Sequence, residues 1–186
     1  MTATEETKIL SRCQQGDKAA FRWVVQNYQR MMFSLALKML ADEEEAKDVV
    51  QETFIKAWTC IDHFDLQRPF STWLYTIASR LCLDRLKRAR IIILQPHDEQ
   101  VMQRFCSDDD SHHNLENHEW VSVVKLLAEG LSTKQRLVFT LCQLEGLSST
   151  EVEQITGMDG QQVKNNLYVA RKNIRKQLKK LGYEQD

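Results

Sequence analysis

The stretch FSTWLYTIASRLCLDRLKRAR, residues 70–90, opens on Phe70, Trp73 and Tyr75 and closes on Arg80, Arg85, Lys87, Arg88 and Arg90 against one acid, Asp84. Aromatic rings stack on base faces and Arg or Lys neutralises phosphate, so this mixture suits an unpaired nucleic-acid strand. It equally describes a core helix with a solvated basic end. Leu74, Ile77, Ala78 and Leu81 recur at helical spacing, with Ser71 as the N-cap. Trp73, Thr76, Arg80 and Lys87 fall on a polar stripe beside the apolar one, and Arg85 and Arg88 add cations. For Arg80 the plainer reading is an i,i+4 ladder, Arg80–Asp84–Arg88, which stabilises the helix by about 0.3–0.5 kcal/mol per pair.

A second constellation lies near the C-terminal end. Ser148-Ser149-Thr150-Glu151 matches a capping box. The short helix it starts runs through Val152 and Ile155 to Gly157, a position that favours positive φ. Asp159-Gly160-Gln161-Gln162 then starts a long helix with Val163, Leu167, Ala170, Ile174 and Leu178 on one face. That is helix-turn-helix spacing, in which the second helix enters the major groove by its N-terminal part. Its outward residues are Gln161, Gln162, Lys164, Asn165, Tyr168 and Arg171. Amide side chains pair with adenine edges, while Lys and Arg serve guanine or phosphate. An αα-hairpin with a basic solvated tail is the alternative. Glu153 tells against DNA binding, because a small residue normally faces the second helix at that point; a Glu there must lean to solvent or meet a cation.

Other chemistry finds little support. His97, His112, His113 and His118 lie in or beside a polar segment with Cys106, Asp108, Asp109 and Asp110, but no ligand pair has a recognised structural spacing. No metal or cofactor is expected. A Gly-rich phosphate loop and a nucleophile elbow are both missing, so an enzyme is not expected either.

The elements that position these residues are helical. Two prolines and six glycines in 186 residues permit long helices and disfavour a many-turned β architecture. Asp17 caps a helix over residues 17–40, and a second follows Asp42. That second helix buries Ala46, Val50, Phe54, Ala57 and Ile61 and turns Glu44, Lys47, Asp48, Gln51 and Glu52 outward. With a short helix near Thr4–Cys13 and the 70–90 helix, these make one domain over residues 1–94. Residues 95–117 read as a flexible acidic linker, and 118–186 as a second helical domain with a further capping box at Ser132–Gln135. The expected fold class is all-α: two small helical domains joined by that linker, the C-terminal one a helix-turn-helix. The formal net charge of −1 conceals strong asymmetry. Seven Lys/Arg and no acid occupy 161–183, against seven acids and one Arg in 95–120. Five scattered cysteines without a C-x-x-C pair argue for reduced thiols. No apolar signal core or spanning run occurs, so a soluble, cytoplasmic protein without membrane insertion is expected.

Together the two halves resemble the extracytoplasmic-function (ECF) sigma factors of the sigma-70 family. The matching stretches are GDKAAFRWVVQNY (16–28), ADEEEAKDVVQETFIKAW (41–58), FSTWLYTIASRLCLDRLKR (70–88), LSTKQRLVFTLCQLEGLSSTEV (131–152) and QQVKNNLYVARKNIRKQL (161–178). The resemblance implies a subunit of bacterial RNA polymerase acting in transcription initiation, with core polymerase and promoter DNA as partners and commonly an anti-sigma factor. It implies that Asp48, Gln51 and Glu52 dock on the polymerase clamp helices. The His63–Phe70 loop and the following helix would hold the opened −10 strand, through Trp73, Thr76, Arg80, Arg85, Lys87 and Arg88. The second domain would read the −35 element through Gln161, Gln162, Lys164, Asn165, Tyr168 and Arg171. The linker would thread polymerase channels, where acidic charge mimics nucleic acid. Arg80 stands where the family usually has Asn. Asn165, Asn166 and Val169 replace frequent Ser, Arg and Arg, so the −35 sequence is not inherited.

Overall fold

The computed structural model describes residues 3–94 and 130–180. Within them seven α-helices occur and no strand: α1 (Ala3–Gln14), α2 (Lys18–Leu40), α3 (Glu43–Cys60), α4 (Phe70–Leu94), α5 (Thr133–Phe139), α6 (Ser149–Thr156) and α7 (Gly160–Lys180). A 3₁₀ turn at Ile61–His63 follows α3, and a π-helical turn at Thr140–Leu144 extends α5. The expected acidic linker and its His, Cys and Asp cluster lie outside the described residues.

Local caps set the helix starts. The Asp17 carboxylate accepts from the Ala19 and Ala20 amides, and Asp42 accepts from Glu45 N–H. Ala41, with φ 57°, ends α2 in the left-handed region and lets Asp42 start α3 at once. All three capping boxes form: Ser132 with Gln135, Ser148 with Glu151, and Asp159 with Gln162. Gly157 closes α6 at φ 71°. The expected cap at Ser71 is displaced. Helix α4 begins two residues earlier than that cap would place it, where Pro69 C=O accepts from Trp73 N–H and Phe70 drops into the core, so Ser71 sits inside the first turn.

Helix α2 is the axis of the first group. It packs on α1, α3 and α4, burying Val24, Met32, Leu35 and Met39 against Val49, Phe54, Phe70 and Leu74. In the second group α5 and α6 pack on α7 around Leu137, Val138, Val152, Ile155 and Val163. Leu178, expected on the buried stripe of α7, is 39% exposed. The two groups touch along α4 and α6, and their buried residues form one contiguous cluster.

Candidate nucleic-acid interface

Helix α4 carries three faces. Leu74, Ala78 and Leu81 enter the core. Tyr75, Ser79 and Cys82, also buried, lie one step around the helix. The third face holds Thr76, half-buried, and Arg80 and Lys87, both exposed, with Arg88 exposed nearby. Trp73 heads this third face, and its indole rests on Phe64 at 4.9 Å and Phe70 at 5.5 Å between ring centroids. Phe70 in turn meets Tyr28 edge-on at 5.4 Å. Trp73 is therefore a half-exposed plate backed by buried aromatics, and Phe64 and Phe70 are core residues at 6% and 2% exposure. The ladder Arg80–Asp84–Arg88 does not form, since none of the three is in an ion pair among the described residues. The Thr76 hydroxyl donates to Thr72 C=O at 2.9 Å, leaving its lone pairs available.

Arg85 departs from this stripe. It points to α3, where its guanidinium is paired with Glu45 and Glu52 and lies 4.0 Å from Asp48. The two close carboxylates raise its pKa against the opposing effect of burial. The face of α3 thus consists of exposed Asp48 and Gln51, a half-exposed Glu52, and an arginine clamping them from behind. Beside Gln51 runs an apolar groove of about 540 Å³ between α2 and α3, lined by Phe21, Val25, Val50, Phe54 and Trp58, with Ile55 left 56% exposed. Sequence reading placed Val50 and Phe54 in the core alone. The signal available was Ile55, an apolar residue outside the buried periodicity.

On α7, Gln161, Gln162, Lys164, Asn165, Tyr168 and Arg171 are all exposed, Tyr168 to 68%. Gln161 Nε2 donates to Asn165 Oδ1 at 2.9 Å, which orders two exposed amides side by side. Glu153 is half-buried and meets no cation among the described residues. Its carboxylate lies over Gly160, where a Cβ would come within 2.9 Å of Oε1. The missing side chain at the start of α7 thus makes room for a large residue at a position that otherwise takes a small one, and the carboxylate sits by the positive end of the helix.

Where the groups meet, Glu145 leaves the π turn and inserts between α2 and α4. Its Oε1 accepts from Ser34 Oγ at 2.9 Å and Lys38 Nζ at 2.7 Å, and Oε2 from the Tyr75 hydroxyl at 2.9 Å. Burial and the Glu145 charge together raise the Tyr75 pKa strongly. Arg136 approaches Cys82 in the same seam. Burial lowers this guanidinium to about 10, still charged at neutral pH, and pushes the Cys82 thiol up to about 12.

A helix-turn-helix with an amide-rich outer face, joined to a domain bearing an aromatic-cationic helix, defines the class of DNA-binding factors. The Sigma-70 region 2 family model matches residues 24–91, and that of Sigma-70, region 4 matches 123–174. The chain is 31% identical over 184 residues to the ECF RNA polymerase sigma factor SigW of Bacillus subtilis, covering 94% of this chain and 97% of that one. It is 30% identical to the RNA polymerase sigma-H factor of Pseudomonas aeruginosa, covering 97% of both. CnrH, solved with the cytosolic domain of CnrY, shares the fold at TM-score 0.71 and 23% identity over 94% of this chain and 97% of that one. The Bartonella quintana sigma factor RpoE, solved with the anti-sigma factor NepR, does so at 0.66 and 23%, over 86% of this chain and 96% of that one. The chain belongs to the ECF sigma factors of the sigma-70 family, the non-enzymatic initiation factors that direct core RNA polymerase to promoters and assist their opening. Among the described residues no helix is long and apolar enough to cross a membrane.

Proposed function

We propose that residues 1–94 dock on core polymerase and capture the −10 strand, that 95–117 serve as the linker, and that 118–186 read the −35 element. Asp48, Gln51 and Glu52 meet the clamp helices, and the groove at Ile55 extends that contact. Trp73, Thr76, Arg80, Lys87 and Arg88 line the path of the opened strand, with Arg85 bracing the docking acids from within. Gln161, Gln162, Lys164, Asn165, Tyr168 and Arg171 contact the −35 duplex. The observation that carries the reading is the Trp73 plate, backed by Phe64 and Phe70 and continued by two unpaired cations on one face. That geometry supplies a stacking surface and backbone charge in the order a single strand requires.

The chain performs no chemistry itself, and it works in the cytoplasm. Opening is driven by binding energy that traps melted DNA, at a cost of a few kcal/mol for each base taken out of the stack. An anti-sigma protein is a further partner in this reading, as NepR is for RpoE.

The −35 assignment predicts a specific loss. Lys164→Ala or Asn165→Ala should change which −35 sequences the holoenzyme prefers, with each lost base contact altering discrimination by about 1–3 kcal/mol. Selection of promoters from a random DNA pool by wild-type and variant holoenzymes measures this. An unchanged preference in both variants removes these residues from the readout.

A further inference from the structure

We propose that Gln14 is a positioning residue for −10 strand capture; this rests on the strand reading above. Gln14 closes α1, far from any DNA candidate in sequence, yet its Nε2 donates to Ile61 C=O at 3.0 Å and Phe64 C=O at 2.8 Å. One amide thus ties both ends of the turn leading into the recognition loop. Phe64 is the ring on which Trp73 rests. Beyond it the loop is held by its own short bonds, Gln67 N–H to Asp65 Oδ1 and Arg68 N–H to Asp65 C=O, both at 3.0 Å. Losing the Gln14 donor frees Phe64 to shift and tilts the stacking plate.

Gln14→Met keeps length and removes the donor, whereas Gln14→Lys keeps a donor at similar reach. Gln14→Met should reduce open-complex formation on duplex promoters about tenfold, less on pre-opened templates, with affinity for core polymerase unchanged. Gln14→Lys should restore most of it. If Trp73→Ala impairs opening and Gln14→Met does not, the positioning role is refuted while the strand reading stands. If neither does, the strand reading itself fails.

An independent observation carries a second inference: the Glu145 cluster is an intramolecular clasp that must release before both promoter elements are engaged. The −10 and −35 elements lie about 25 base pairs apart, roughly 85 Å at 3.4 Å per step. Two packed domains of fewer than 100 residues each, with radii of gyration of roughly 12 Å, cannot span that distance. The clasp carboxylate is only 8% exposed and is met by Ser34, Lys38 and Tyr75, all from the first domain. The rest of the seam is poorly satisfied. Arg136 is desolvated without a carboxylate partner among the described residues, and Ser79 Oγ is buried without a hydrogen bond. Opening returns both to water, which offsets part of the apolar burial along α4 and α6 and leaves the Glu145 cluster as the polar tie between the two groups.

Small-angle scattering of the full chain tests this without reference to promoter function. Glu145→Gln and, from the other side, Lys38→Met should each raise the radius of gyration, and the charge-swapped pair Lys38→Glu with Glu145→Lys should lower it again. Unchanged scattering in both single variants, with helicity retained, overturns the clasp.

Discussion

Replacing Trp73 by alanine is expected to reduce open-complex formation on a duplex promoter by about 10- to 100-fold. Base–aromatic stacking contributes about 1–3 kcal/mol per base, and loss of the plate forfeits that at the step where a base leaves the helix. On a template with a pre-opened bubble the unpairing cost is already met, so the loss there should be smaller. The ring also contacts Phe64 and Phe70, so some stability is lost as well. Trp73→Phe separates the two effects by keeping a stacking face and most of the packing. Arg80→Ala touches no core residue and should follow the same pattern at lower amplitude. Equal losses on duplex and bubble would assign Trp73 to folding or polymerase binding.

Reversal of charge at Asp48 is expected to weaken association with core polymerase by at least tenfold, which is about 1.4 kcal/mol. The Asp48 side chain is 65% exposed and only grazes Arg85 at 4.0 Å, so Asp48→Lys leaves the fold intact. Like charges brought together at an interface cost several kcal/mol, far more than an exposed ion pair contributes to folding. Glu52→Lys is a less clean probe, because it also places a second cation against Arg85. A titration of labelled core polymerase with wild type and Asp48→Lys, alongside thermal melting, distinguishes the outcomes. Retained affinity would move the docking face away from α3.

What the sequence revealed was local. Asp17, Asp42, Ser132, Ser148 and Asp159 each cap a helix through bonds spanning two or three residues, and Gly157 ends one by its own φ. The apolar period of α4 identified its core face, and the outward residues of α7 followed from the same periodicity. What escaped depends on long-range contacts. Arg85 sits in a basic run, and only the packing of α4 on α3 turns it toward Glu45 and Glu52. Gln14 and Glu145 are ordinary polar residues by type, and their roles depend on partners 47 to 111 positions away. Glu153 conflicted with a helix-turn-helix until Gly160 supplied the missing volume. Ser71 lost its cap because a buried phenylalanine beside it fixed where the helix begins.

The most direct test of the whole account is permanganate reactivity of thymines in a promoter selected by the reconstituted holoenzyme. Reactive thymines should appear around the −10 element only when chain and core polymerase are both present. They should fade with Trp73→Ala and be largely independent of Trp73 on a pre-opened template. A chain that binds the same duplex alone, never joins polymerase and leaves every thymine protected would contradict it.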